Sequence, residues 1–111
     1  AERPSNKAHE FFGFATGNNI NKIMVSGLTF KKNVSTTVAS PALAFTSELS
    51  KLMDVVVHDP MVNRQAPTEL KFTDDLEKDL EHVDCVILLV SHDHPDTAIV
   101  NKYYKKMLWF P

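Results

Sequence analysis

The longest apolar run of this chain ends in SHDHPDT, where His92, His94 and Asp96 alternate with other residues. Two imidazoles and a carboxylate at that spacing can face one metal ion, and neutral imidazole suits zinc. His58 and Asp59, closing an earlier apolar run, can lie within reach of the same face. A second candidate lies in SGLTFKKNVSTTVASPAL, where Thr29, Phe30, Lys31 and Lys32 lead into hydroxyls at Ser35, Thr36, Thr37 and Ser40. Ammonium groups, hydroxyls and the N–H groups of a helix start together make a cradle for phosphate. A solvated polar loop has the same composition, and chemistry alone leaves both readings open. Cys85 is the only cysteine and sits in the apolar run VDCVILLV, where a buried small hydrophobe is the plain reading.

With 111 residues the chain has length for one domain and one hydrophobic core. A formal net charge of −2 removes any global electrostatic case for nucleic acid or an anionic membrane. An anion site must therefore be local. Val86 to Val90 is far too short to span a bilayer. The opening AERPSNKAHE lacks both a signal pattern and an initiator Met, as a processed chain or a fragment would. A lone cysteine fits a reducing cytoplasm.

Three segments read as strands covered on both faces: KIMVSG at 22–27, DVVVHD at 54–59 and DCVILLVS at 84–91. Ser40-Pro41 reads as an N-cap followed by proline at the first helical position. Leu43, Phe45, Leu49, Leu52 and Met53 then form one apolar stripe. A second helix is expected from Thr73 or Asp74, and a third from about Thr97 to Met107. FFGFATGNN reads as a short apolar segment followed by a turn, within an N-terminal extension over residues 1–21. Alternating strands and helices define an α/β, three-layer Rossmann-like domain with a mainly parallel sheet. In such a sheet ligands bind at the carboxyl ends of strands, which puts Thr29 to Lys32 at the expected site. GLTF has one glycine where the dinucleotide fingerprint needs three, so NAD is not expected at this turn.

Three blocks carry a resemblance: GLTFKKNVSTTVASPAL, DVVVHDP, and TDDLEKDLEHVDCVILLVSHD. In order and spacing they look like the C-terminal, UDP-binding domain of the UDP-glucose and UDP-N-acetylmannosamine (GDP-mannose) dehydrogenase family. The closing VSHD favours the N-acetylhexosamine branch. The resemblance implies a lid that binds the UDP part of a nucleotide sugar, in an enzyme of polysaccharide biosynthesis whose full-length form uses NAD. It places the family's substrate-contacting lysine at Lys31; Lys32, Thr29, Phe30, Ser35, Thr36 and Ser40 complete the candidate substrate-binding set. Where the family loop carries an aspartate, an arginine and often a glutamate, this chain has Thr36, Val38 and Ala39. The NAD-binding fold and catalytic cysteine belong to other domains of the family, so no catalytic residue and no bound cofactor are expected here. The domain at 22–111 is expected to stop, at MLWFP, before a further strand of the family.

Two other classes remain. A Rossmann-like interaction domain that has lost its ligand would explain Val38 and Ala39. A metal-binding domain would use His92, His94 and Asp96; the same spacing follows a strand in metallo-β-lactamase-like hydrolases, although Thr97 stands where that pattern continues with histidine. The tail NKYYKKMLWFP reads as core cover or a subunit contact rather than a base-stacking patch, and an unfinished sheet edge invites a homodimer.

Overall fold

The computed structural model describes residues 4–29, 33, 40–62 and 69–108. The elements run α1 (Pro4–Gly17), β1 (Lys22–Ser26), α2 (Pro41–Ser50), β2 (Asp54–His58), α3 (Leu76–His82), β3 (Cys85–Leu88), α4 (Pro95–Asn101), a 3-10 turn (Tyr104–Lys106) and β4 (Met107–Leu108). The strands form one sheet in the order β2-β1-β3-β4. Every pairing in it is parallel, with Ile23 beside both Val55 and Cys85 and Val86 beside Met107.

The pleat explains the three layers. Alternate strand residues point to opposite faces, so Ile23, Val25, Val55, Val57, Cys85 and Ile87 meet Phe11 of α1 and Phe45 and Leu49 of α2 in one cluster. Met24, Val56 and Val86 emerge on the other face and meet Leu80 of α3 and Val100 of α4. Both faces of the central strands are therefore dry, which is why their apolar runs are nearly continuous. Burial also pushes the Cys85 thiol up to about 11, helped by the neighbouring Asp84 carboxylate, so this cysteine is an unreactive part of the core.

Helix starts follow local chemistry. The Ser40 hydroxyl accepts from the Leu43 N–H and caps α2, with Pro41 at its first position. The helix α3 begins at Leu76, two or three residues later than expected, because Asp75 rather than Thr73 or Asp74 supplies the cap, accepting from the Lys78 N–H. Thr73 instead donates its N–H to the Val57 carbonyl and extends the β2 edge. The expected helix over Thr97 to Met107 is corrected at both ends. His94 caps α4 and Pro95 opens it, so the helix starts earlier and stops at Asn101. The chain then turns through the 3-10 segment, and Met107–Leu108 pair with β3 as a fourth parallel strand. FFGFATGNN lies mostly inside α1, with the expected turn at Asn18–Asn19, where Asn19 takes φ 58°.

Two polar ties close the open ends of these layers. Asp84 accepts from the Asn21 and Lys22 N–H groups, fixing the start of β1 against β3, and both bonds hold its carboxyl below the usual carboxylate range. Lys106 donates its ammonium to the carbonyls of Leu80 and Glu81 at the end of α3, where a cation complements the helix dipole. Replacing Lys106 by Met removes both bonds, and a loss of about 1 kcal/mol is expected from charge-assisted bonds at a partly exposed site. Urea unfolding of Lys106→Met against the wild type measures it, and an unchanged midpoint would show that the ammonium contributes nothing.

Candidate functional site

The chain passes from β1 to β2 through α2 on one face, then returns across the sheet to β3 through α3 on the other face. The switch of direction lies between β1 and β3, where an open parallel sheet presents its ligand crevice. Gly27 opens that end. Its φ of +97° suits glycine, and a Cβ there would fall onto the backbone of Val90. This close approach lets the segments leaving β1 and β3 run side by side.

Asp59, immediately after β2, holds the crevice together. Its side chain is fully buried. One carboxylate oxygen accepts from the Leu28 N–H at 2.6 Å and from His92 Nε2 at 3.1 Å, and the other accepts from the Met61 N–H at 2.8 Å. The His92 side chain, 1% exposed, also has Thr29 Oγ1 at 3.2 Å from Nε2. Its Nδ1 receives the Asn33 N–H at 2.8 Å. A backbone N–H can only donate, so Nδ1 is the acceptor and the ring proton is on Nε2, facing Asp59.

A second chain of bonds runs beside the first. His58 Nε2 lies 3.2 Å from Asp96 Oδ2, and His58 Nδ1 lies 3.0 Å from Ser26 Oγ. The carboxylate accepts, so the proton is on Nε2 and Ser26 donates its hydroxyl proton to Nδ1. Ser, His and Asp are the residue types of a hydrolase triad. Here Ser26 is a strand residue only 5% exposed, with no nucleophile elbow, and its hydroxyl is engaged within the sheet. The arrangement cross-links β1, β2 and α4.

The sequence-predicted residues fall into three groups. Thr29 and Ser40 are buried beside the crevice and are turned inward: Thr29 toward His92, Ser40 donating to the Leu28 carbonyl at 2.6 Å. Ser40 thereby ties the start of α2 to the end of β1. Phe30, Lys31, Lys32, Ser35 and Thr36 lie outside the described residues, as do Thr37, Val38, Ala39, Trp109 and Phe110. Of the HxHxD stretch, His92 turns in to Asp59, while His94 Nδ1 accepts from the Asp96 N–H as a helix cap and Asp96 turns to His58. Among the described residues no group of three or more His, Cys, Asp or Glu side chains is placed to hold a metal. The expectation that His58-Asp59 approach this stretch is realised, as two separate carboxylate–imidazole contacts and not as one ligand set.

Two residues escaped the sequence reading. Asn33 sits at φ 62° and pairs with Asp93: its Nδ2 donates to the Asp93 carboxylate at 2.8 Å and its Oδ1 accepts the Asp93 N–H at 2.7 Å. An asparagine in a polar loop is a mild signal for left-handed backbone, but nothing local points to a partner 60 positions away.

Comparison with known proteins agrees with this geometry. Residues 24–110 match the UDP-glucose/GDP-mannose dehydrogenase family, UDP binding domain. The chain belongs to that family. Among solved structures it is similar to the UDP-D-ManNAc dehydrogenase of Pyrococcus horikoshii, at 28% identity and TM-score 0.66, over 94% of this chain and 24% of that one. A UDP-N-acetyl-mannosamine dehydrogenase from Staphylococcus aureus has the same fold, at TM-score 0.69 and 21% identity, again over 94% of this chain and 24% of that one. So does a UDP-glucose dehydrogenase from Pyrobaculum islandicum, at TM-score 0.60 and 20% identity, over 80% and 22%. The chain thus spans about a quarter of the length of the structures it matches. No curated protein matches it.

Burial lowers the affinity of His58 for a proton below its ordinary value of 6.5, against the opposing hydrogen bond and charge of Asp96 and the more distant charge of Asp59. The unfolded chain therefore takes up a proton first as pH falls. The stability contributed by neutral His58 is complete above about pH 7 and is lost as pH drops through 6.5 toward the folded-state value. Urea unfolding from pH 7.5 to 5 should show a falling midpoint, with a smaller slope in His58→Gln. Equal slopes in the two proteins would assign the acid sensitivity to other groups.

Proposed function

We propose that this chain binds the UDP moiety of a nucleotide sugar, a UDP-hexose or UDP-N-acetylhexosamine, as the substrate-binding unit of an NAD-dependent nucleotide-sugar 6-dehydrogenase. The match over residues 24–110 to the UDP-binding domain of that family, which takes in the lysine loop, is the observation that carries it. The diphosphate lies against the β1–α2 loop, with Lys31 as the first contact and Lys32 and the hydroxyls of Ser35 and Thr36 beside it. Thr29 and Ser40 hold the two ends of the loop, which is supported by the inward bonds of both hydroxyls, and Phe30 completes the proposed substrate-binding set. The start of α2 adds N–H groups of the right sign for an anion.

The chain does not oxidise the sugar by itself. It lacks the glycine-rich dinucleotide turn, and its only cysteine is a buried, unreactive strand residue. NAD and the nucleophile belong to other parts of the enzyme, which acts in the cytoplasm, in polysaccharide biosynthesis. Among the described residues no helix is long and apolar enough to cross a membrane. Association into a homodimer would use the β4 edge, since the β2 edge is already bridged at Val57–Phe72; sedimentation over a range of concentrations tests this, and a monomer throughout would reject it.

The reading predicts saturable UDP binding with amide shifts from Thr29 to Ala42. Lys31→Ala should weaken it about ten- to a hundredfold, the loss of one charge-assisted phosphate contact. Val38→Arg restores a forked cation where the family resemblance implies one, and should tighten binding by about tenfold. Titration calorimetry of the three proteins decides. Absence of binding by the wild type at millimolar UDP would leave a fold without its ligand and turn the search to protein partners.

A further inference from the structure

We propose that Asn33 and His92 form a latch that positions the Lys31–Lys32 loop, making them positioning residues for nucleotide binding. This rests on the nucleotide reading of the loop. Asn33 follows Lys32 directly, and three of its bonds run to the segment after β3: N–H to His92 Nδ1, Nδ2 to the Asp93 carboxylate, and Oδ1 from the Asp93 N–H. Its φ of 62° turns the backbone so that amide and side chain point the same way, a conformation that asparagine tolerates.

The acceptor that Asn33 meets is set from below. His92 can receive the loop N–H only while Nδ1 carries no proton, and the buried Asp59 carboxylate keeps the ring proton on Nε2. Asp59 is itself fixed by the Leu28 and Met61 N–H groups. Orientation thus passes from the strand ends to Asp59, to His92, and then to the residue beside Lys32. In an exposed polar loop water would satisfy the same groups, so one firmly held residue serves to place its neighbours. Without it the two ammonium groups would sample many positions and bind a diphosphate with a larger ordering cost.

The test is a double-mutant cycle on the whole chain, read by UDP calorimetry and thermal unfolding. Asn33→Gly tolerates φ 62° and keeps the N–H to His92 while losing both Asp93 bonds. It should leave the unfolding temperature near that of the wild type and weaken UDP about tenfold. In a Lys31→Ala background the same change should have little further effect, because a positioning residue acts through the group it positions. Nitrogen NMR of the His92 ring should show the proton on Nε2, and the Asn33 amide should exchange slowly in the wild type and faster in His92→Gln. Equal UDP affinity in wild type and Asn33→Gly, additive effects in the cycle, or a proton on Nδ1 each overturn the latch while the nucleotide reading stands. No UDP binding by the wild type overturns both.

Discussion

The carboxylate of Asp59 is the interaction on which the rest of this site depends. It leaves water entirely, a costly step for an ionised group unless both oxygens find donors. Leu28, Met61 and His92 supply those donors, and they come from the segments after β1, β2 and β3 respectively. One buried charge therefore demands that three strand ends meet at one point. Parallel strands need no such meeting for their own pairing. Their paired register ends at Ser26, His58 and Leu88; the Gly27, Leu89 and Val90 N–H groups add backbone bonds just beyond it, and side chains carry the rest of the convergence.

The sheet below makes that convergence possible by being rigid. Clusters on both faces bury every residue from Ile23 to Val25, and a single-residue slip of β1 would exchange the two faces. Register is thus strongly specified, and the carboxyl ends of the strands are held to a fixed height. Gly27 then allows the chain leaving β1 to run against Val90, and the Ser40 hydroxyl returns the far end of the β1–α2 loop to the Leu28 carbonyl. The loop is long, but its ends are close and are tied on the same strand.

Much of this was legible in the sequence, and the reasons separate cleanly. Strands, the Ser40-Pro41 helix start and the parallel sheet were readable because each is encoded within a few residues, by continuous apolar runs and by cap chemistry. The helix α1 was read only as a short apolar segment, since Gly13, Gly17 and two asparagines obscure its period; burial of Ala8, Phe11 and Ala15 against α2 overrides their weak local preference. The tail misled for the opposite reason. Its helical-looking residues to Met107 are interrupted by a tie that only tertiary structure reveals, Lys106 on the end of α3, after which Met107 and Leu108 find β3. In the site, His58, Asp59 and the HxHxD residues were visible but not their partners, and Asn33 and Asp93 were not visible at all. His92, His94 and Asp96 have the spacing of a ligand set, yet spacing does not say that His92 turns inward from the segment after β3 while His94 and Asp96 belong to the first turn of α4.

That division explains how groups with catalytic potential come to be engaged with one another inside the fold. Two imidazole–carboxylate pairs lie at the same end of the sheet, and each has a serine hydroxyl or a backbone amide on its far side. In both, the remaining ring nitrogen is already satisfied within the protein: Ser26 on His58, Asn33 on His92. A general base needs a free lone pair directed at a substrate, and a metal ligand needs one directed at the ion. With both positions occupied, the imidazoles act as bifunctional connectors, rigid, planar and able to donate at one end and accept at the other. A lysine or carboxylate could do only one of these. Histidine at 58 and 92 therefore fits a scaffold that must join strands to loops through a dry interior.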